Sequence, residues 1–238
     1  LKRLAEGPAI AEIATRNNDP VRNLPAESFE NPQRFGGSDI MARIHYDTEH
    51  KGKLLQRTLL GYLRQAIEVL PVPPESIRDV VVAANTTMRD LFFGLDVYSI
   101  GQRPYRSTNE ASLTMAAKKL RLKLHPDAEV YGLPIIGSHV GADAAAATLT
   151  EGPHRQDEMM LLVDVGTNAE IVLGNSTRVV AASSPTGPAF EGAEISCGQR
   201  AAPGAIERVR IDPETLEPRF RVIGIEPWSD DLEFAKSA

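Results

Sequence analysis

Cysteine is almost missing from this chain: Cys197 is the only one in 238 residues. An internal disulfide framework is excluded, and so is any cysteine-held zinc or iron–sulfur site built from this chain alone. That usage fits a reducing compartment, and the cytoplasm is the expectation. Aromatics are scarce at 5%, so the core must be made mostly of Leu, Ile, Val and Ala, and a stacking surface for bases is not expected. Basic charge is not in excess. With 26 Lys and Arg against 32 Asp and Glu the net charge is −6, and no long basic block marks a nucleic-acid or anionic-membrane footprint. No apolar run reaches the roughly 18 residues that span a bilayer. The opening Leu1-Lys2-Arg3-Leu4-Ala5-Glu6 lacks the apolar stretch of a signal peptide. A start at Leu1 rather than Met raises the expectation of a piece of a longer protein.

What is present suffices for a folded body. At 42% hydrophobic residues, a chain of this length can bury roughly 70–75% of its unfolded surface in one large domain or two modest ones. The first 35 or so residues are polar and turn-rich, with Asn17-Asn18-Asp19-Pro20 and Asn31-Pro32-Gln33, and read as weak secondary structure followed by loop. Helical order begins near Ser38. From Asp39 to Leu70 apolar residues recur at helical spacing, with Leu55, Leu59, Leu63, Ile67 and Leu70 on one stripe, until Pro71, Pro73 and Pro74 stop the helix.

Asp79 to Ala84 is a short apolar run of the kind found in strands buried on both faces. It ends in the polar turn Asn85-Thr86-Thr87-Met88 and an apolar helix through Leu95. A second such unit follows: Glu129 to Ile136 as strand, Gly137 to Gly141 as turn, Ala142 to Leu149 as helix. Beyond the break at Gly152 to Asp157 the period changes. Met159 to Val165, Glu170 to Leu173 and Arg178 to Ala182 read as an antiparallel meander with tight turns. Strand-like pieces recur around Ala205 to Ile211 and Phe220 to Ile225, and no closing helix follows. A sheet that begins this way normally needs later helices to cover it, so the second domain reads as unfinished.

The most informative segment is Leu161 to Leu173. Asp164 ends an apolar strand and Gly166-Thr167-Asn168 follow as a turn, placing a carboxylate at a sheet rim beside backbone N–H groups. Such a turn can hold phosphate, since the glycine permits close approach, Thr167 and Asn168 supply donors, and Asp164 can hold a hydrated Mg²⁺ or orient a water. A strand-end Asp capping its own hairpin is the competing account. Asp143 falls in the first turn of a predicted helix, where the macrodipole stabilises it, and Asn85 to Thr87 are placed to cap another. Gly187 to Gly192 can form a second anion-binding turn with Glu191 positioning water, or plain loop punctuation. Cys197 reads more readily as a buried thiol than as a redox group. His139 reads as a turn residue, because no second His or Cys lies at ligand spacing.

Several of these stretches, in order, resemble the ATP-dependent reductive activators of corrinoid proteins. They are Asn31 to Gly36, Ser38 to Ile40, Ala84 to Met88, Val140 to Asp143, Asp164 to Glu170, Gly187 to Gly192 and Ala201 to Glu207. The hairpin at Asp164 looks like the second phosphate loop of the wider acetate kinase, sugar kinase, Hsp70 and actin superfamily. The resemblance implies a two-lobed, actin-like α/β (ribonuclease H-like) fold, with a first lobe over residues 1–151 and a second beginning at 158–238. It implies ATP and Mg as ligands and a corrinoid protein as partner, whose cobalt is returned to the Co(I) state. A homodimer is left open. Asp164 and Asp143 are the implied catalytic carboxylates, Asp164 the metal ligand, and Gly166, Thr167, Asn168, Gly187 and Glu191 the nucleotide contacts.

Three features of that family have no counterpart here. A first Asp-x-Gly-Thr-Thr hairpin would precede Asn31, the cysteines of a [2Fe-2S] domain would lie further upstream, and an adenosine-binding Gly-Ile-Cys-Gly-Ser-Gly segment would follow Asp230. The expectation is therefore a central fragment, incomplete at both ends, with the [2Fe-2S] cluster only in a missing upstream domain. A metabolite kinase of the same fold and a non-catalytic partner-binding module remain the alternatives.

Overall fold

The computed structural model describes residues 10–14, 26–37, 39–137, 139–166, 168–186 and 203–231. Two compact units are distinguished, one over Ala9–Pro185 and a second that includes residues 203–231.

The larger unit opens with an antiparallel hairpin, β1 (Ile10–Ala14) against β2 (Ala26–Glu30). The sequence reading placed only weak structure here. The segment between the two strands, with its turn-forming residues at 17–20, lies outside the described residues. Asn31 then caps a short 3₁₀ turn over Pro32–Gly36, its side chain accepting from the Gln33 N–H at 2.9 Å.

The single long helix expected from Asp39 to Leu70 is two helices, α1 (Ile40–Glu49) and α2 (Leu54–Val69). The break lies at Gly52 (φ +96°) and Lys53 (φ +50°), a pair of positive-φ residues that no continuous helix accommodates. Asp39 caps α1 by accepting from the Ala42 N–H at 2.9 Å. The apolar stripe is as anticipated on α2: Leu55, Leu59, Ile67 and the following Leu70 are buried, and Leu63 packs against the same core.

That core is covered on its other side by a three-stranded sheet of order β3-β5-β4, with β3 (Asp79–Val82) parallel to β5 (Glu129–Gly132) and β4 (Leu113–Ala116) antiparallel to it. Val80, Val82 and Val130 face Leu59, Leu60, Phe92 and Phe93 of α2 and α3 (Thr86–Phe93). Contrary to the reading of an unbroken apolar run, β3 is not buried on both faces. It is a sheet edge, and Val81 on the side away from the helices is 65% exposed.

After β5 the chain turns through Gly137–Val140 into α4 (Ala142–Glu151), and α4 packs against the first strand of the expected meander. The meander comprises β6 (Met160–Val165), β7 (Asn168–Gly174) and β8 (Val179–Pro185), antiparallel and in sequence order. In the second unit β9 (Ile206–Ile211) pairs with β10 (Pro218–Val222), and the Arg210 guanidinium lies 4.4 Å from the centre of the Trp228 ring. Among the described residues no helix is long and apolar enough to cross a membrane.

One polar network is buried inside this frame. Arg89 and Asp90, adjacent on α3, both have fully inaccessible side chains and pair at 2.8 Å. Arg89 also donates to the carbonyls of Leu133 and Ala111, each at 3.2 Å, and to that of Asn109. Asp90 accepts from the Ser107 hydroxyl. Removing one partner of such a pair strands a charge in a dry interior, which costs about 3–5 kcal/mol. Arg89→Met is expected to lose that much stability in urea unfolding. A loss below about 1 kcal/mol, the range of exposed pairs, would show that the network does not hold the fold.

Candidate functional site

The site is assembled where the end of β3 meets the start of α4. Beyond Val82 the chain leaves the sheet through Ala83–Asn85, and the Asn85 side chain caps α3 by accepting from the Met88 N–H at 2.9 Å. The Asn31 block reaches the same helix end, because Asn31 and Arg43 both direct N–H groups at the Met88 sulfur. The Ala84 carbonyl accepts from the N–H groups of Ala142 and Asp143, at 2.9 and 3.1 Å. These are two of the donors that a helix start leaves without intrahelical partners, so the turn after β3 clamps the start of α4.

Gly141 makes this approach possible. A Cβ at that position would stand 2.6 Å from the Asn85 Cα and 2.7 Å from the Thr86 nitrogen, both rigid backbone. Any side chain there would push the two elements apart.

Asp143 therefore sits in the first turn of α4, half-buried, with its Oδ1 accepting from the Ala144 N–H at 2.8 Å. Across from it lies the β6–β7 hairpin. Antiparallel register places Asp164 opposite Glu170 and Glu170 opposite Ser183, so the three share one face of the sheet in a single row. The Ser183 hydroxyl donates to the Glu170 carboxylate at 3.0 Å. The turn itself is closed by the Gly166 N–H on the Asn168 carbonyl at 2.8 Å.

Two of these carboxylates, Asp143 and Glu170, have raised pKa values. Burial pushes Asp143 above the ordinary aspartate range, the Ala144 N–H opposes this, and the Asp164 charge adds to the rise. Burial likewise raises Glu170 against the Ser183 hydrogen bond, and the charges of Asp143 and Asp164 raise it further. Asp164 is exposed at the rim. Among the described residues no three acidic, histidine or cysteine side chains come close enough to hold a metal ion directly between them.

Of the residues singled out from sequence, Asp143 and Asp164 are brought into electrostatic contact, and Gly166 and Asn168 flank the hairpin turn beside Asp164. Thr167, Gly187, Glu191 and Cys197 lie outside the described residues. Asn85 caps α3, one of the two roles, capping or ligand contact, that its place in a strand-to-helix turn offered. His139 is in the turn before α4, its ring centre 5.7 Å from that of Tyr105. Glu170 was missed as a site residue. Counting outward from the hairpin turn at period two sets it opposite Asp164, and that signal was available in the sequence.

The strand-end aspartate and glycine hairpin lie in a stretch that matches an ASKHA domain. Residues 158–230 match the C-terminal domain of RACo, described as the ASKHA domain, and residues 17–156 match the RACo middle region. The chain belongs to the RACo family. It is similar to a corrinoid activation enzyme, RamQ, of Eubacterium limosum, with 32% identity over 207 residues covering 84% of this chain and 34% of the relative. A [Co(II) methylated amine-specific corrinoid protein] reductase of Methanosarcina barkeri is 27% identical over 207 residues, 82% of this chain and 37% of that one. A solved structure titled a reductive activator for corrinoid, iron–sulfur protein superposes with a TM-score of 0.71 at 33% identity, over 85% of this chain and 33% of that chain. The chain thus spans about a third of the length of the relatives it matches.

The raised pKa of Asp143 has a measurable consequence. Between the pKa of a free aspartate and the raised folded value, the unfolded chain holds fewer protons than the folded one, so stability falls as pH rises through that interval. Above it the full penalty of burying the charged carboxylate is present. Asp143→Asn should therefore raise the melting temperature at pH 7 and leave it nearly unchanged at a pH below the free-aspartate value. Destabilisation at pH 7 would show that the carboxylate is satisfied rather than stressed.

Proposed function

We propose that this chain carries the phosphate-facing part of a reductive activator that uses ATP to favour reduction of a corrinoid protein to the Co(I) state. The observation that carries the reading is the row of Asp164 and Glu170 at the hairpin rim, facing Asp143 at the clamped start of α4. Hard carboxylate oxygens, two of them raised in pKa by burial and further by neighbouring acidic charge, suit a hydrated divalent cation next to phosphate. Asp164 would hold Mg²⁺ through water or directly, with Asp143 and Glu170 near enough to orient waters. Bound Mg²⁺ supplies charge neutralisation of the phosphates.

Gly166 and Asn168 of the hairpin are the phosphate contacts in this reading; Thr167, Gly187 and Glu191, which lie outside the described residues, are assigned to nucleotide on the family resemblance. The donors that would hold a [2Fe-2S] cluster are not in this chain, whose single cysteine cannot supply the four thiolates required. The reducing electron therefore comes from outside it, in a cytoplasmic setting. What these residues contribute is a nucleotide-dependent choice between two states. Nucleotide shifts the equilibrium only so far as it binds one state better than the other.

Asp164 is exposed and makes no contribution to the core, so Asp164→Ala in the full-length protein is expected to abolish ATP turnover while leaving the melting temperature nearly intact. Steady-state phosphate release and isothermal titration with Mg–ATP measure this directly. An unchanged rate in the variant would overturn the assignment, and labelled phosphate passing to a small acceptor rather than to water would identify a kinase instead.

A further inference from the structure

A second surface of the larger unit is built and is used by none of the steps above. The segment Tyr98–Arg106 is a closed loop: the Ser99 hydroxyl donates to the Arg106 carbonyl at 2.7 Å, drawing its two ends together. Its base is anchored in the interior, since the next residue, Ser107, is buried and donates to Asp90 within the Arg89 network. Tyr105 is held at φ +61°, a backbone region a tyrosine occupies only when its surroundings fix it there. Its ring lies against His139, two residues before Gly141.

The loop brings exposed tyrosine and arginine side chains together on one short segment. Tyr98 is 51% exposed and Tyr105 39%, two of only five tyrosines in the sequence. Arg103 and Arg106 are exposed, and neither guanidinium has a hydrogen bond or ion pair with another described residue. The Asp96 carboxylate beside the loop is turned to the Tyr98 N–H. Exposed tyrosines and arginines on a rigid support are the residues that dominate protein interfaces, because they offer large contact area with little entropy to lose. Unpaired guanidiniums select carboxylates, which they bind in bidentate fashion. The acidic balance of the chain as a whole argues against nucleic acid as the occupant.

We propose that the loop Tyr98–Arg106 is the docking surface for an acidic face of the corrinoid protein, with Arg103 and Arg106 engaging its carboxylates and Tyr98 and Tyr105 packing at the contact. The identity of the partner rests on the function proposed above; the location and chemistry of the surface rest on the loop.

The test uses the full-length protein and purified corrinoid protein from the same organism, immobilised, with binding measured at 50 and 200 mM salt. Arg103→Glu/Arg106→Glu is expected to weaken binding at least tenfold at the lower salt and to flatten its salt dependence. Tyr105→Phe, which keeps the ring, should stay within about twofold of wild type. Mg–ATP affinity and melting temperature should be unchanged in both variants, which separates docking from the nucleotide site and from folding. Charge reversal that leaves the affinity within twofold overturns the proposal. So does a wild-type protein that turns over Mg–ATP yet binds the corrinoid protein with no salt dependence, a result that would leave the nucleotide reading standing. Conversely, charge-dependent docking together with full ATP turnover in Asp164→Ala would support the surface and overturn the nucleotide site.

Discussion

The buried pairing of Arg89 with Asp90 is the constraint around which the larger unit is arranged. A guanidinium and a carboxylate taken wholly out of water are costly to desolvate, and the attraction between them repays this only when their remaining donors and acceptors are also satisfied. Here the satisfaction comes from two separate pieces of chain: the Leu133 carbonyl just past β5, and the segment over residues 107–111 ahead of β4, which supplies the Ser107 hydroxyl and the carbonyls of Asn109 and Ala111. Each piece has one position in which the network closes. The apolar packing of Leu59, Phe92 and Val130 favours compactness without direction, whereas the ion pair fixes where β5 ends and so where the chain returns toward α4.

From that fixed point the carboxylate site follows with little freedom. The Ala84 carbonyl, Gly141 and the first N–H groups of α4 form a joint with no room for a side chain, and Asp143 is the first polar side chain beyond it. On the opposing hairpin, register alone sets Glu170 beside Asp164. Burial of the Asp143 and Glu170 carboxylates, with the charge of Asp164 adding to it, raises the free energy of their ionised forms in the folded state. A cation that binds there relieves the repulsion and stabilises the fold by mass action. Under the function proposed above, the site would be stressed without a charge-balancing ligand and relaxed with one, which is the differential a two-state activator needs.

How far the sequence could reveal this depended on whether the signal was local. The α2 stripe, the meander, the Asn85 cap and the placement of Asp143 in a first helical turn all follow from spacing over a few residues, and each was legible. The break at Gly52 was hidden because α1 and α2 keep compatible apolar periodicity on either side of it. The one-sided burial of β3 was hidden too, since an unbroken Val run is the same text whether one face or two are covered. Arg89 and Asp90 were the least legible: two adjacent charges in a short helix look like a solvated face, and only tertiary closure around them makes them interior. Glu170 fell between, being legible from register but not from composition.

The same buried network that ends β5 also anchors Ser107 at the foot of the exposed tyrosine and arginine loop, while His139 touches that loop from the turn leading into α4. Carboxylate site and loop are therefore two outlets of one rigid element rather than independent decorations. Coupling between sites needs an element whose arrangement both ligands bias. Were both proposed sites occupied, the Gly137–Val140 turn, which lies between His139 beside Tyr105 and Asp143, would be the element to test for such coupling. A partner pressing on Tyr105 would reach Asp143 through four residues of backbone, and a nucleotide drawing on Asp143 would reach Tyr105 by the same path. Reciprocity then requires that whatever docking does to nucleotide affinity, nucleotide does equally to docking.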